Sequence, residues 1–306
     1  MSDDCVPWST AWDDAAVGAD GFYRSPAGRA EDTFATQVTS GPAVAQRIAD
    51  IALDLLTTLV SHHPIVTVTD VGAADGTLLT QLMAVLPADL VRALHWRALD
   101  VRARPDGLDG RIAWNAGDAR VTAPTLGRGP GLVIAHEFLD DIACDVVEID
   151  EVGRRRLVLV HPDGREVIGP PLDDLELCAT IGVDAASLSA WCDRWWSRDE
   201  PAARIEVGST RDDAWATIVR LVDVGLAIAV DYAHVESDRS AGLWDGGTLT
   251  GYRTGRLASP VPDGTCNLTA HVAIDACAAA VVATRTTLAP SGAGDDLWWL
   301  VQSMGP

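Results

Sequence analysis

A chain of 306 residues, 48% of them hydrophobic, carries enough apolar side chain to form one large α/β unit with insertions. Its 44 acidic against 23 basic side chains leave a formal charge of -21. That field repels phosphate backbones and anionic membrane surfaces, so nucleic acid is disfavoured as a partner.

In chain order, residues 1 to about 40 are rich in Gly, Asp, Ser and Thr with isolated aromatics, which predicts an irregular arm or loop-rich cap. From Pro42, the apolar positions Val44, Ile48, Ile51, Leu55, Leu56 and Leu59 recur at helical spacing and predict a helix to about Val60. The β-branched run Ile65 to Val71 reads as a buried strand, followed by a Gly-containing turn and a helix from about Gly76 to Leu86. Leu94 to Val101, Arg111 to Trp114 and Gly131 to His136 read as further strands, implying a mostly parallel, doubly wound sheet.

Val146 to Asp150, Arg155 to Val160 and Glu166 to Ile168 alternate like strands around the turn His161-Pro162-Asp163-Gly164, predicting an antiparallel insertion. Residues 172 to about 200 read as helical and end in Trp191, Trp195 and Trp196, whose default role is core or lid packing. A helix from about Arg211 to Val222 precedes the buried-strand pattern Gly225 to Tyr232. An Ala-rich helix from about Ala270 to Ala283 and a last strand at Trp298 to Val301 complete the prediction. The six cysteines form no C-x-x-C pair, the start Met1-Ser2-Asp3-Asp4 lacks a signal-peptide pattern, and no apolar run reaches the roughly 20 residues of a membrane helix. These features predict a cytoplasmic protein with reduced thiols and no membrane insertion.

The turn Asp70 to Thr77 bears the first chemistry. Gly72 and Gly76 let backbone approach a ligand, and the helix beyond offers its N-terminal amides. A dinucleotide fingerprint requires G-x-G-x-x-G, but Ala74 and Thr77 occupy the second and third glycine positions, which disfavours NAD or FAD. Asp75 repels a pyrophosphate and tolerates a zwitterionic amino-acid moiety. Asp100, at the end of the second strand, is placed to hold a ribose diol. Asp118 can accept from an adenine amino group or cap a helix. The fourth strand ends in His136, Glu137, Asp140 and Asp141, acids that in an open parallel sheet face the ligand crevice. His136 and His234 are candidate proton acceptors. The seven His are dispersed, with no metal-ligand spacing.

The segments Gly21-Phe22-Tyr23, Phe34-Ala35-Thr36, Asp70 to Leu78, Ala135 to Asp140, Val230 to His234, Gly247-Thr248-Leu249 and Leu268 to Val272 follow one another in the order seen in the MidA-like methyltransferases, which the chain resembles over residues 21 to 275. It departs from that pattern at Ala74, where the family has Gly, and at His136 for Asn, Ala143 for Pro and Asn267 for Asp. Alanine at 74 is tolerable if its φ is negative.

The resemblance implies a Rossmann-like class I methyltransferase with an antiparallel and helical insertion, using S-adenosylmethionine held by Asp70, Gly72, Ala74, Gly76, Asp100 and Asp118. It implies Glu137, Asp140 and His136 as catalytic residues, and arginine of a protein, with a respiratory-complex subunit as one candidate, as acceptor. A homodimer is left open. On this reading the chain comprises an N-terminal arm or cap (1–41), the cofactor-binding half (42–145), inserted strands and Trp-rich helices forming a lid or substrate region (146–203), and the C-terminal half (204–306). The alternative is a degenerate methyltransferase-fold scaffold that binds cofactor without turnover.

Overall fold

The computed structural model describes residues 4–25, 41–292 and 296–305, so Phe34-Ala35-Thr36 lie outside the described residues. The chain divides into two compact units. One comprises Arg29–Leu139, Ala214–Asp231 and Ala280–Pro306; the other comprises Met1–Gly28, Asp140–Asp213 and Tyr232–Ala279.

The first unit is built on a sheet of β1 (Thr67–Val71), β2 (His95–Asp100), β3 (Ile112–Ala116), β4 (Gly129–His136), β5 (Val222–His234, through Asp231), β6 (Arg285–Pro290) and β7 (Leu297–Met304). Its strand order is β6-β7-β5-β4-β1-β2-β3. β1 pairs in parallel with both β2 and β4, β3 with β2, and β5 with β4, whereas β6 and β7 form an antiparallel pair. The order reverses at the β1/β4 junction, the topological switch point beyond which ligands bind in open parallel sheets. β4 and β5 are buried on both faces because neighbouring elements cover both, which explains their continuous apolar runs. The helix Ala43–His62 buries Val44, Ile48, Ala52, Leu56 and Leu59 along one stripe and packs against the helix Thr77–Val85. It continues to His62, two residues past its predicted end.

In the other unit, Arg155–Val160 pairs antiparallel with Val6–Pro7, Asp145–Ile149 and Glu166–Pro171, and Asp145–Ile149 also pairs with Arg204–Val207. Period-two alternation buries both faces of this sheet. Val147, Ile149, Leu157 and Leu159 join the core of Leu188, Trp191 and Trp196, while Val146, Val158 and Val160 join that of Trp8 and Trp12. A three-stranded sheet, ordered Arg256–Ala258, Thr250–Arg253, Asn267–Thr269, belongs to the same unit.

Several expectations are corrected. Residues 8–17 form a helix rather than an irregular arm: Trp8, Trp12, Ala15 and Ala16 recur at helical spacing and are buried. The segment 172–200 is two helices, Leu175–Thr180 and Ala185–Trp195, broken at Gly182 with φ +77°, and Trp196 lies just past the second in an extended conformation. The Ala-rich helix is confined to Ile274–Ala279, because Val272 and Ala273 pair with Ala233 and His234 at the end of β5. Sheet pairing there overrides the helical propensity of alanine. The strands Arg204–Val207, Thr250–Arg253, Arg256–Ala258 and β6 were not expected. Among the described residues, no helix is long and apolar enough to cross a membrane, and no two cysteines are joined in a disulfide.

Truncating Trp12, fully buried on the N-terminal helix, to alanine is expected to cost about 3–5 kcal/mol of stability. Denaturant titration measures this, and an unchanged midpoint would show that the helix contributes nothing to the core.

Candidate active site

In the first unit the parallel strands carry Asp70, Asp100, His136 and Asp231 to one edge of the sheet. After β1 the chain turns through Gly72, whose amide, like that of Ala73, donates to Leu99 O at 2.9 and 3.1 Å. Gly72 has φ +72°, and a Cβ there would lie 2.7 Å from Phe138 Cδ2. Only glycine fits without displacing the Phe138 ring. Gly76, φ +82°, precedes the helix Thr77–Val85. Asp75 serves the turn itself, accepting from Thr77 N at 2.9 Å and Thr77 Oγ1 at 2.8 Å.

Ala74 sits at φ +53°, so the condition under which alanine is tolerable here, a negative φ, is not met. Its amide donates to Asp100 Oδ2 at 2.8 Å, which fixes the left-handed conformation despite its steric cost.

Asp70 is buried beside Asp75 and Asp100. Burial first, and then the charges of those two carboxylates, hold its carboxyl well above the usual range. Asp100 is also buried. Besides Ala74 N, it accepts from Arg102 N and Nε, both at 2.9 Å. A ribose hydroxyl directed at this carboxylate therefore competes with the Arg102 guanidinium. Asp118 follows Gly117, whose amide donates to Asp100 O at 2.8 Å. Its carboxylate caps the short helix Ala119–Thr122 through Arg120 N and pairs with the Arg120 guanidinium.

At the end of β4, the amide of Glu137 donates to Val230 O at 2.8 Å, and Glu137 adopts φ +47°. The next two amides, Phe138 and Leu139, both donate to Asp231 Oδ2, at 3.1 and 2.7 Å. Asp231 is fully buried. This carboxylate holds the turn that presents His136 and Glu137 and places Phe138 against Gly72. Its one legible signal is an acid closing an apolar strand, a position to which sequence reasoning assigned no role. His136 Nε2 is buried without a hydrogen-bond partner, 3.8 Å from Glu137 Oε1. Burial pushes the imidazole down to about 4, so it is neutral at pH 7.

Asp140 and Asp141 belong to the other unit. Asp140 Oδ2 accepts from Thr269 Oγ1 at 2.8 Å. Asp141 Oδ1 accepts from Asn267 Nδ2 at 3.1 Å, and Asn267 Oδ1 in turn accepts from Tyr23 OH at 2.6 Å. Buried Arg211, also unforeseen, donates to three carbonyls: Ile142 O at 3.0 Å, His271 O at 2.8 Å and Asp140 O at 3.1 Å. His234, the other candidate proton acceptor, is held by a neighbouring cation. Its Nδ1 accepts from Arg239 Nη1 at 2.9 Å, and burial, followed by the Arg239 charge, holds its proton affinity well below the ordinary value. Among the described residues, no group of three or more His, Cys, Asp or Glu side chains is arranged to hold a metal ion.

A family profile described as "putative S-adenosyl-L-methionine-dependent methyltransferase" matches residues 48–291. No curated protein matches the chain. A solved structure titled a "likely methyl transferase" from Burkholderia thailandensis, bound to S-adenosyl-homocysteine, is similar at 19% identity and TM-score 0.71, over 98% of this chain and 88% of that one. A native structure of an uncharacterized protein from the same organism is similar at 19% identity and TM-score 0.69, over 98% and 87% of the two chains. The likeness establishes the fold as the mostly parallel α/β arrangement of class I methyltransferases.

Two outcomes follow from the geometry. Gly72→Ala is expected to destabilise by about 1–2 kcal/mol, whereas Ala74→Gly, which relieves a left-handed alanine, stabilises by up to about 1 kcal/mol; denaturant midpoints of the same sign for both would contradict the turn. The second outcome concerns His136, which in the unfolded chain takes up a proton near pH 6.5 but in the folded protein resists until about 4. Its contribution is therefore full above the upper value and lost on acidification through that window. Relative to His136→Asn, the wild type should lose roughly 3 kcal/mol between pH 6.5 and 4, and parallel stability curves for the two proteins would refute the assignment.

Proposed function

The chain belongs to the family of putative S-adenosyl-L-methionine-dependent methyltransferases, and from that membership we propose that it methylates a protein side chain, arginine, as the MidA-like resemblance implies. The observation that carries the cofactor reading is Asp70, buried beside Asp75 and Asp100 at the switch point, where burial first and then their charges raise its carboxyl well above the usual range. A cationic ligand there reverses the penalty and restores the carboxylate. The donor set fits S-adenosylmethionine, which has an ammonium, a sulfonium and a ribose diol. When bound, it supplies a sulfonium methyl group, which the acceptor nitrogen takes as the S–C bond breaks to leave the thioether S-adenosylhomocysteine.

In this reading Gly72 and Gly76 shape the turn against the ligand, Ala74 supplies an amide braced by Asp100, and Asp100 takes the ribose in exchange for Arg102. Asp118 turns towards adenine by releasing part of its hold on Arg120. Glu137 orients the acceptor nitrogen by a charge-assisted hydrogen bond, and Asp140 keeps the catalytic role that the resemblance implies. His136, neutral with its Nε2 unengaged, receives the proton that the nitrogen loses, and Glu137 stabilises the resulting imidazolium. The setting proposed is the cytoplasm, as expected of six scattered cysteines with no C-x-x-C pair.

Calorimetry with S-adenosylhomocysteine should show binding to the wild type that Asp100→Ala weakens tenfold or more, on the scale of about 1.5–3 kcal/mol for a charged hydrogen bond, while Asp100→Asn keeps the Ala74 contact. Absence of binding at millimolar ligand would overturn the proposal. With radiolabelled S-adenosylmethionine in a lysate, a labelled protein band supports transfer, and binding without any labelled acceptor would favour the scaffold alternative.

A further inference from the structure

We propose that the Arg102 side chain gates the cofactor's ribose: it fills the two acceptor sites on Asp100 that a vicinal diol needs, and so sets how fast and how tightly the nucleoside is taken up. The proposal rests on the methyltransferase reading above and gives a role to a residue outside its cofactor set.

The gate follows from how Asp100 is occupied. A carboxylate offers about four lone-pair sites, and four nitrogens address this one. Two are backbone amides: Ala74 N donates to Oδ2 at 2.8 Å and Arg102 N to Oδ1 at 2.9 Å. The other two belong to the guanidinium: Arg102 Nε donates to Oδ1 at 2.9 Å, and Nη2 approaches Oδ2 at 3.4 Å. Each oxygen thus carries one main-chain and one side-chain donor. A vicinal diol brings two O–H donors, and the places it can take are those of the guanidinium, because the amides are fixed in the chain. The exchange is donor for donor and leaves the carboxylate held by both amides.

The surroundings let the side chain move while the backbone stays. Trp114 Nε1 donates to Arg102 O at 3.0 Å, and Arg104 Nη2 donates to the carbonyls of Leu108 and Asp109, both at 2.9 Å. Leu108 packs against the cofactor turn, its Cδ1 2.6 Å from where a Cβ on Gly76 would stand. The connection between β2 and β3 is therefore pinned near both ends. The Arg102 side chain is 22% exposed against 3% for Asp100, so the guanidinium can leave into water and the carboxylate cannot. Its departure without replacement strips a cation from a buried carboxylate that already faces Asp70. The open form is thus the minor one, and a ligand that requires it binds with its intrinsic affinity reduced by that fraction.

The sequence supplies an internal control. Asp-x-Arg recurs at nine-residue intervals, as Asp100/Arg102, Asp109/Arg111 and Asp118/Arg120. In each, the Arg amide and Nε donate to the same Asp oxygen. The pairing is a local turn device, to which Asp100 adds the amide of Ala74 in the cofactor turn. The Asp109/Arg111 pair is largely open to solvent.

The test measures S-adenosylhomocysteine binding to the full-length protein by calorimetry and stopped flow. Arg102→Met keeps the stem and removes the donors. It should bind about fivefold more tightly, with the gain in the association rate and the dissociation rate within about twofold of wild type. Arg102→Lys, a point charge in place of the fork, should fall between the two. Arg111→Gln should match the wild type. A merely structural pair at Arg102 has the opposite sign, weaker binding on its loss. Should Arg102→Met not fold, as its melting curve would show, Arg102→Lys carries the test. Equal or weaker binding by the folded Arg102 variants, tightening seen only as slower dissociation, or the same tightening in Arg111→Gln overturns the gate. Failure of the wild type to bind S-adenosylhomocysteine would instead overturn the methyltransferase reading beneath it, and the gate with it.

Discussion

One carboxylate oxygen, Asp231 Oδ2, holds the turn on which the first unit's site depends. Two consecutive amides beyond β4, those of Phe138 and Leu139, converge on it. Meeting both requires the chain to break from extended geometry one residue earlier, and Glu137 takes the left-handed conformation that results. The cost of order 1–3 kcal/mol for such a backbone is borne because a buried carboxylate without donors would cost more. Phe138 then abuts the position where Gly72 would carry a side chain. A strand-terminal acid thus sets the β4 turn, the β1 turn and the presentation of His136 together.

The second unit is governed by a different economy of charge. Arg211 is buried and spends its donors on the carbonyls of Asp140, Ile142 and His271. Arg211 thereby ties the segment 140–142 to His271, some 130 residues later, and the Asp140 carbonyl also accepts from Ala270 N at 3.2 Å. The antiparallel sheet is apolar on both faces, with the N-terminal Trp helix serving one core and the Ala185–Trp195 helix the other. Trp191 also donates to Asp212, whose carboxyl burial raises to about 6. Trp8, which donates to Glu166, and Trp191 are thus structural mass with a polar anchor, whereas the indole N–H groups of Trp12, Trp196 and Trp244 are buried without a hydrogen-bond partner.

Electrostatically, the turn around Asp70 is unusual in gathering carboxylates without burying a matching cation among them. Asp100 recruits Arg102, Asp118 recruits Arg120 and Asp75 caps its own turn, while burial first and then the charges of Asp100 and Asp75 raise the carboxyl of Asp70 well above the usual range. Like charges crowded in a low-dielectric site store free energy that a cationic ligand releases. His136 complements this from β4: burial keeps it neutral, so its ring adds hydrogen-bonding capacity without adding positive charge.

Much of this architecture was legible in the linear chain because it rests on local chemistry. β-branched and apolar runs give β1, β2, β4 and β5, glycine spacing gives the turn after β1, and alternation gives the central antiparallel strands. Asp70, Asp100 and His136 were found because a parallel sheet places every strand's carboxyl end on one edge. What the chain alone left hidden depends on partners distant in sequence. The sign of φ at Ala74 is set by Asp100, the meaning of Asp231 by amides some ninety residues earlier, and the truncation of the Ala-rich helix by pairing at the end of β5. Local propensity and periodicity therefore determined which elements form and which acids reach the sheet edge. Only the tertiary structure decided which of those acids hold distant backbone, Asp100 that of Ala74 and Asp231 that of Phe138 and Leu139, because those are contacts between segments that no local pattern encodes.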